Sequence, residues 1–308
     1  MRELTIFGRR IADDTRAWVC AEIGGNHQGS PKLAHDLIAM CADAGADAVK
    51  FQRRHNATLY SQALLDAPYE NENSFGRTYG EHRHALELPL DEYPGLIAHA
   101  HERGLAFVCT AFDEASATDL GAVGVDALKI ASGGVTDLPL LRAACDVCFQ
   151  RGIPLIVSTG GCHETDILDA WAETRGVAHA FLHCTAAYPC DYPELNLSYL
   201  TQLRNMCPNT VIGWSSHDNG IAMAVAAVTL GARIVEKHVT LNRASKGTDH
   251  AFSLEREGLR KLCRDLARLH VAWGDGVKRY YDSEHKPIAK MRRRPAAGGM
   301  RITGEVDA

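Results

Sequence analysis

Short runs of β-branched and other apolar residues alternate along the chain with longer stretches whose apolar positions recur every three to four residues. Eight runs have the length of buried strands: Ala17–Gly24, Ala46–Gln52, Leu105–Asp113, Ala127–Ser132, Pro154–Gly160, Val177–Thr185, Thr210–His217 and Ala232–Thr240. The amphipathic stretches after them are Pro31–Ala44, Asp91–Arg103, Glu114–Val123, Leu138–Arg151, Glu164–Arg175, Glu194–Arg204, Gly220–Leu230 and Leu254–Trp273. Strands that alternate with helices run parallel, and eight such units over roughly 250 residues predict a (β/α)8 TIM barrel. An open doubly wound sheet is the structural alternative. Against it, Ala21-Glu22-Ile23-Gly24-Gly25-Asn26-His27 stands where GxGxxG would follow the first strand.

The remaining segments are assigned around one barrel domain, residues 1–275. Met1–Asp13 is expected to form a hairpin closing the barrel bottom. Asn56–Leu88 is long for a strand-to-helix connection, and its polar stretch Tyr69–His84 suggests a lid or a dimer contact over the active-site face. Residues 276–308 read as an irregular tail, and the run Met291-Arg-Arg-Arg-Pro-Ala-Ala-Gly-Gly as a solvated linker or a phosphate-binding segment.

Composition narrows the class. With 308 residues, 46% hydrophobic and 23% charged, the chain can bury a large core, and a net charge of −5 gives no reason to expect nucleic acid. No 18-residue apolar run and no signal peptide are found, so the expectation is a cytoplasmic protein without a membrane partner. Ten cysteines then read as reduced core residues, with Cys20, Cys109 and Cys184 inside strands; Cys145-Asp-Val-Cys148 has CxxC spacing on a predicted helix, without a second pair.

The chemistry gathers at strand ends, where such barrels place their active sites. His217 and His238 end neighbouring strands and can converge on a divalent cation, Mn, Fe, Co or Zn by ligand type. Glu236 shares the parity of His238 and is expected to point into the mouth, as a metal ligand or as a carboxylate supporting one. Lys50 and Lys129 lie inside what should be an apolar barrel, so an anion is expected to neutralise them. Hydroxyls at Thr110, Ser132, Ser158 and Ser215, with glycines at 133, 134, 160 and 161, suggest a phosphate or carboxylate cradle. A Schiff-base aldolase would also place a lysine here, and a non-catalytic binding relative is the third reading.

Ala21-Glu-Ile-Gly-Gly-Asn-His27, Gly45-Ala-Asp-Ala-Val-Lys-Phe-Gln52, Lys129-Ile-Ala-Ser132, Ser158-Thr-Gly160, His183-Cys-Thr185 with Tyr188-Pro189, Ser215-Ser-His217, Glu236-Lys-His238 and Gly247-Thr-Asp249 resemble, in order, the motifs of the sialic acid synthase (N-acetylneuraminate synthase) family. The resemblance implies a metal-dependent condensation of phosphoenolpyruvate with a sugar aldehyde, giving a 2-keto-3-deoxy acid and phosphate, in a homodimer. It further implies that Lys50, Thr110, Lys129, Ser132, Ser158 and Ser215 hold phosphoenolpyruvate and that His217 and His238 ligate Mn2+ or Mg2+. Glu22 would be the general acid/base, with Lys50, Lys129 and Glu236 also catalytic, while Gln52, Tyr188, Glu236 and Asp249 face the sugar.

Three departures from the family pattern bear on the acceptor. Gly134 replaces a sugar-contacting glutamate, and Ala186 replaces an asparagine while Ser215-Ser216-His217 replaces serine-aspartate-histidine. The family's C-terminal antifreeze-like domain is not expected, since the sequence stops near where it would begin. Poor use of N-acetylmannosamine is expected on these grounds.

Overall fold

The computed structural model describes residues 2–292. Eight parallel strands close into a barrel: β3 (Trp18–Glu22), β4 (Ala48–Arg53), β5 (Ala106–Ala111), β6 (Ala127–Ile130), β7 (Leu155–Ser158), β8 (His179–Cys184), β9 (Val211–Ser216) and β10 (Ile234–His238), with β10 pairing back on β3. They are preceded by an antiparallel hairpin of β1 (Glu3–Ile6) and β2 (Arg9–Ala12). The expected single (β/α)8 barrel is the observed fold.

Strand parity explains the interior. Alternate residues turn inward, so Trp18, Cys20, Ala48, Ala106, Val108, Ala127, Ile156, Ala180, Leu182, Val211 and Ile234 meet in an apolar cluster inside the barrel. Leu4, Ile6 and Ile11 of the hairpin belong to that cluster and plug the N-terminal end. The lumen is tight: a Cβ on inward-facing Gly213 would overlap Leu182 and the carbonyl of Ile234. The opposite parity, including Val19, Val49, Phe51, Phe107, Leu128, Val157, Phe181, Trp214 and Val235, packs under the helices as a second, larger core.

Helix boundaries follow cap chemistry. For Pro31–Ala44, Ser30 Oγ accepts the Leu33 N–H, Pro31 sits in the first turn, and Gly45 closes the helix at φ 88°. Asp113 and Asp137 cap Glu114–Val123 and Leu138–Arg151 in the same way. The long excursion 56–88 is built of three short helices, Asn56–Leu59, Gln62–Leu65 and Tyr79–Leu86, the last opened by a reciprocal Thr78/Glu81 capping box.

The chain divides into two compact units, residues 1–270 and 271–308. In the second, the expected irregular tail instead contains the helix Asp282–Met291, whose first turn is tied by the Tyr281 N–H donating to Glu284 at 2.8 Å. Of the arginine run, residues 293 and 294 lie outside the described residues. All ten cysteines are free thiols, Cys145 and Cys148 included. No helix among the described residues is long and apolar enough to cross a membrane.

Candidate active site

Continuing the inward parity of each strand to its C-terminal end passes from the apolar plug to charge. Glu22, Lys50, Gln52, Thr110, Lys129, Ser158, Ser215, Glu236 and His238 occupy those ends, and with Ser132, Tyr188, His217 and Asp249 they line one cavity of about 530 Å³. The structure thus brings together every side chain assigned from the sequence to phosphoenolpyruvate, the sugar, the metal or catalysis, and of the cradle glycines it places Gly133 in the lining.

At the floor, the two lysines are already neutralised by carboxylates, which corrects the expectation that an external anion must do so. Lys50 Nζ lies 2.8 Å from Glu22 and 3.6 Å from Glu236, and donates to Thr110 Oγ1 at 3.0 Å. Lys129 Nζ lies 3.4 Å from Glu236. Ser215 Oγ donates to Glu236 at 3.0 Å and Gln52 Nε2 to Glu22 at 2.7 Å. Register places Glu22 beside Lys50 and Ser215 beside Glu236 on adjacent strands, so backbone pairing alone forms half of this network. Glu236 is therefore held in the lysine network; its contacts are Lys50, Lys129 and Ser215.

Burial opposes every charge here, and the neighbours decide which charges survive. Burial pushes the Glu22 carboxyl up, against the pull of Lys50. Glu236 resists the same penalty because Lys129 and Lys50 both favour its ionised form, which brings it down to about 2. Burial would lower Lys50, but Glu22 and Glu236 more than offset it and hold it above the usual lysine value. Lys129, with Glu236 in its favour and Lys50 against, ends below its usual value because of burial.

The two histidines stand side by side at the ends of neighbouring strands. His217 Nδ1 donates to the Thr185 carbonyl at 3.0 Å, which leaves the Nε2 lone pair free. His238 Nδ1 is buried without a hydrogen-bond partner, 3.7 Å from Asp249 Oδ2. The ring centroids are 5.4 Å apart, and Tyr188 and Phe252 pack against them. Burial lowers both imidazoles to about 4, so each is neutral, the ligating form. Among the described residues no group of three or more His, Cys, Asp and Glu is arranged to hold a metal.

One sugar-wall expectation is corrected. A Cβ on Gly134 would point at Ile130 and Leu140, 3.0 and 3.1 Å away, because Ser132–Gly134 turns as a 3-10 helix. Ser132, Gly133 and Ala186 line the cavity instead. Several lining residues were not anticipated. Arg54, which donates to Gln52 and pairs with Glu87 at 3.2 Å, continues the parity of Lys50 and Gln52. Arg83, His82, Tyr60, Tyr69 and Phe75 arrive from the excursion, whose Thr78-Tyr-Gly-Glu81 capping signature predicts the helix that carries Arg83.

Residues 37–278 match the sequence profile of the NeuB family. The chain belongs to the NeuB family. It is 33% identical to human N-acetylneuraminate-9-phosphate synthase over 283 residues, covering 90% of this chain and 77% of the relative. It is 35% identical to the N,N'-diacetyllegionaminic acid synthase of Campylobacter jejuni, covering 89% and 83%. The crystal structure of N-acetylneuraminic acid synthetase from Leptospira borgpetersenii superposes with a TM-score of 0.77 at 30% identity, covering 95% of this chain and 98% of that one. This NeuB-family chain is an enzyme, a synthase.

Proposed function

We propose that this NeuB-family synthase condenses phosphoenolpyruvate with a sugar aldehyde, giving a 2-keto-3-deoxy acid and inorganic phosphate with the help of Mn2+ or Mg2+. The observation that carries the reading is the cavity floor. Two buried ammonium groups stand there among hydroxyls, and Ser158 Oγ is buried with no hydrogen-bond partner. An orphaned buried donor is costly, and a phosphate oxygen satisfies it. Lys50, Thr110, Lys129, Ser132, Ser158 and Ser215 hold phosphoenolpyruvate, and the same groups stabilise the departing phosphate.

The methylene carbon of phosphoenolpyruvate attacks the aldehyde carbon, the aldehyde oxygen takes up a proton, and positive charge develops at the phosphate-bearing carbon. Water adds at that carbon and loses a proton, and the tetrahedral intermediate collapses to the ketone as phosphate leaves. Glu22 handles protons, because a carboxyl whose affinity is raised by burial can both give and take one. Glu236 keeps both lysines charged and in place. Gln52, Tyr188 and Asp249 form the acceptor wall. His217 and His238 fit the cation, which when bound supplies Lewis-acid polarisation of the aldehyde oxygen.

The test is phosphate release from phosphoenolpyruvate by the purified chain with Mn2+ and a panel of sugar aldehydes. One phosphate per new keto acid is expected. Absence of release with every aldehyde, together with borohydride trapping of pyruvate on a lysine, would establish the Schiff-base aldolase instead.

A further inference from the structure

Behind the cavity wall, one buried charge pair takes no part in the proposed reaction. Lys237 sits in the outward-facing row of β10, between Val235 and Val239 of the core beneath the helices, with 1% of its side chain exposed. Its Nζ donates to the Asp218 carbonyl at 2.6 Å and to Asp218 Oδ1 at 3.0 Å, and lies 3.4 Å from Ser216 Oγ. Ser216 Oγ donates in turn to Asp218 Oδ1, and the Asp218 side chain is 2% exposed. Apolar residues of similar volume usually fill such a place without loss of stability, so stability is a weak account of the pair.

Chain position ties the pair to the two histidines. Asp218 directly follows His217, and Lys237 directly precedes His238. The β9–β10 ladder ends where Ser216 stands opposite Lys237, so both histidines lie one residue past the last backbone pairing between their strands. Each is held elsewhere to a different element: His238 is in register with Glu22 of β3, and His217 Nδ1 donates to the Thr185 carbonyl. Beyond the ladder, the Lys237 ammonium grips both the carbonyl and the carboxylate of Asp218 and so ties the end of β9 to the end of β10.

We propose that Lys237 and Asp218 are positioning residues, which set from behind the wall the spacing at which His217 and His238 face one divalent cation. Neither lines the cavity. This rests on the metal reading above, and the pair acts only through the placement of the two imidazoles.

The experiment is calorimetric titration of the folded chain with Mn2+, without substrates. It compares the wild type with Lys237→Met, Asp218→Asn, Asp218→Ser, the double variant Ser216→Asp/Asp218→Ser, and Asp47→Asn. The last breaks a buried pairing with Arg9 and Arg16 just before β4, at the opposite end of the barrel, and so reports what lost stability alone does. Lys237→Met, Asp218→Asn and Asp218→Ser should each weaken Mn2+ binding about 10-fold or more, the usual effect of removing support behind a ligand. Asp47→Asn should bind Mn2+ as the wild type does even where its urea midpoint falls as far. The double variant moves the carboxylate to the position facing Lys237 in the register, and should regain most of the affinity that Asp218→Ser loses. Should Lys237→Met fail to fold, the isosteric Asp218→Asn carries the comparison. Undiminished affinity in Asp218→Asn, an equal loss in Asp47→Asn, or no recovery in the double variant overturns the proposal and leaves the metal reading standing. Absence of Mn2+ binding by the wild type overturns both.

Discussion

Lys129 and Glu236 stand on β6 and β10, four strands apart in a closed ring of eight and so on opposite walls, yet their side chains meet in the lumen at 3.4 Å. The pair bridges the barrel mouth from wall to wall, beneath the cavity. Glu236→Gln leaves Lys129 without its carboxylate, and removing one partner of a buried pair typically costs about 3–5 kcal/mol. Urea unfolding should show that loss, and added phosphoenolpyruvate should restore more stability to the variant than to the wild type. An unchanged midpoint would show that the pair is dispensable.

Lys129→Met should raise the Michaelis constant for phosphoenolpyruvate far more than that for the aldehyde, since it removes a charge from the anion side of the cavity. Initial-rate kinetics with each substrate varied in turn separates the two. A change confined to the aldehyde would move this lysine to the acceptor wall.

Chelation is expected to abolish turnover and Mn2+ to restore it. His217→Ala or His238→Ala should weaken Mn2+ binding at least about tenfold, as loss of a ligand does. Metal titration by calorimetry reads this without turnover. Full activity in excess chelator is the contrary result.

His27 predicts an acid-sensitive stability. It is buried, its Nδ1 accepts the Gly29 N–H at 3.0 Å, and burial lowers it to about 4. Well above pH 6.5 it is neutral folded and unfolded and contributes no pH dependence. From there down to about 4 the unfolded chain binds a proton that the folded chain refuses, so stability falls as pH falls. The loss from His27 alone between pH 7 and 5 should be about 2 kcal/mol. His27→Asn keeps an acceptor for Gly29 and should lose that much less stability over the interval, measured by urea midpoints at both values. The same drop in both proteins would refute the assignment.

The barrel was readable in the sequence because its signals are local. Pro31–Ala44, Glu114–Val123 and Leu138–Arg151 appear with the boundaries expected, each between a side-chain cap and a left-handed glycine. Glu194–Arg204 starts instead at Tyr199, since Tyr192–Glu194 takes a 3-10 turn and Asn196 a positive φ of 42°. The strand-end residues were legible because parallel register sets them side by side. Arg83 and Glu87 were not, because they reach the cavity through tertiary packing of a long excursion. The direction of Gly134 depends on one turn of 3-10 helix that apolar periodicity does not encode.

Leu4, Ile6 and Ile11 stopper the far end of the barrel, and that makes the vessel single-ended. Molecules that use it must queue. On the function proposed above, a phosphoenolpyruvate seated over Lys50 and Lys129 would have to enter ahead of any acceptor above it. The phosphate left behind would then wait at the bottom until the keto acid had gone, first in and last out, an order of traffic set by a two-strand hairpin remote from the chemistry.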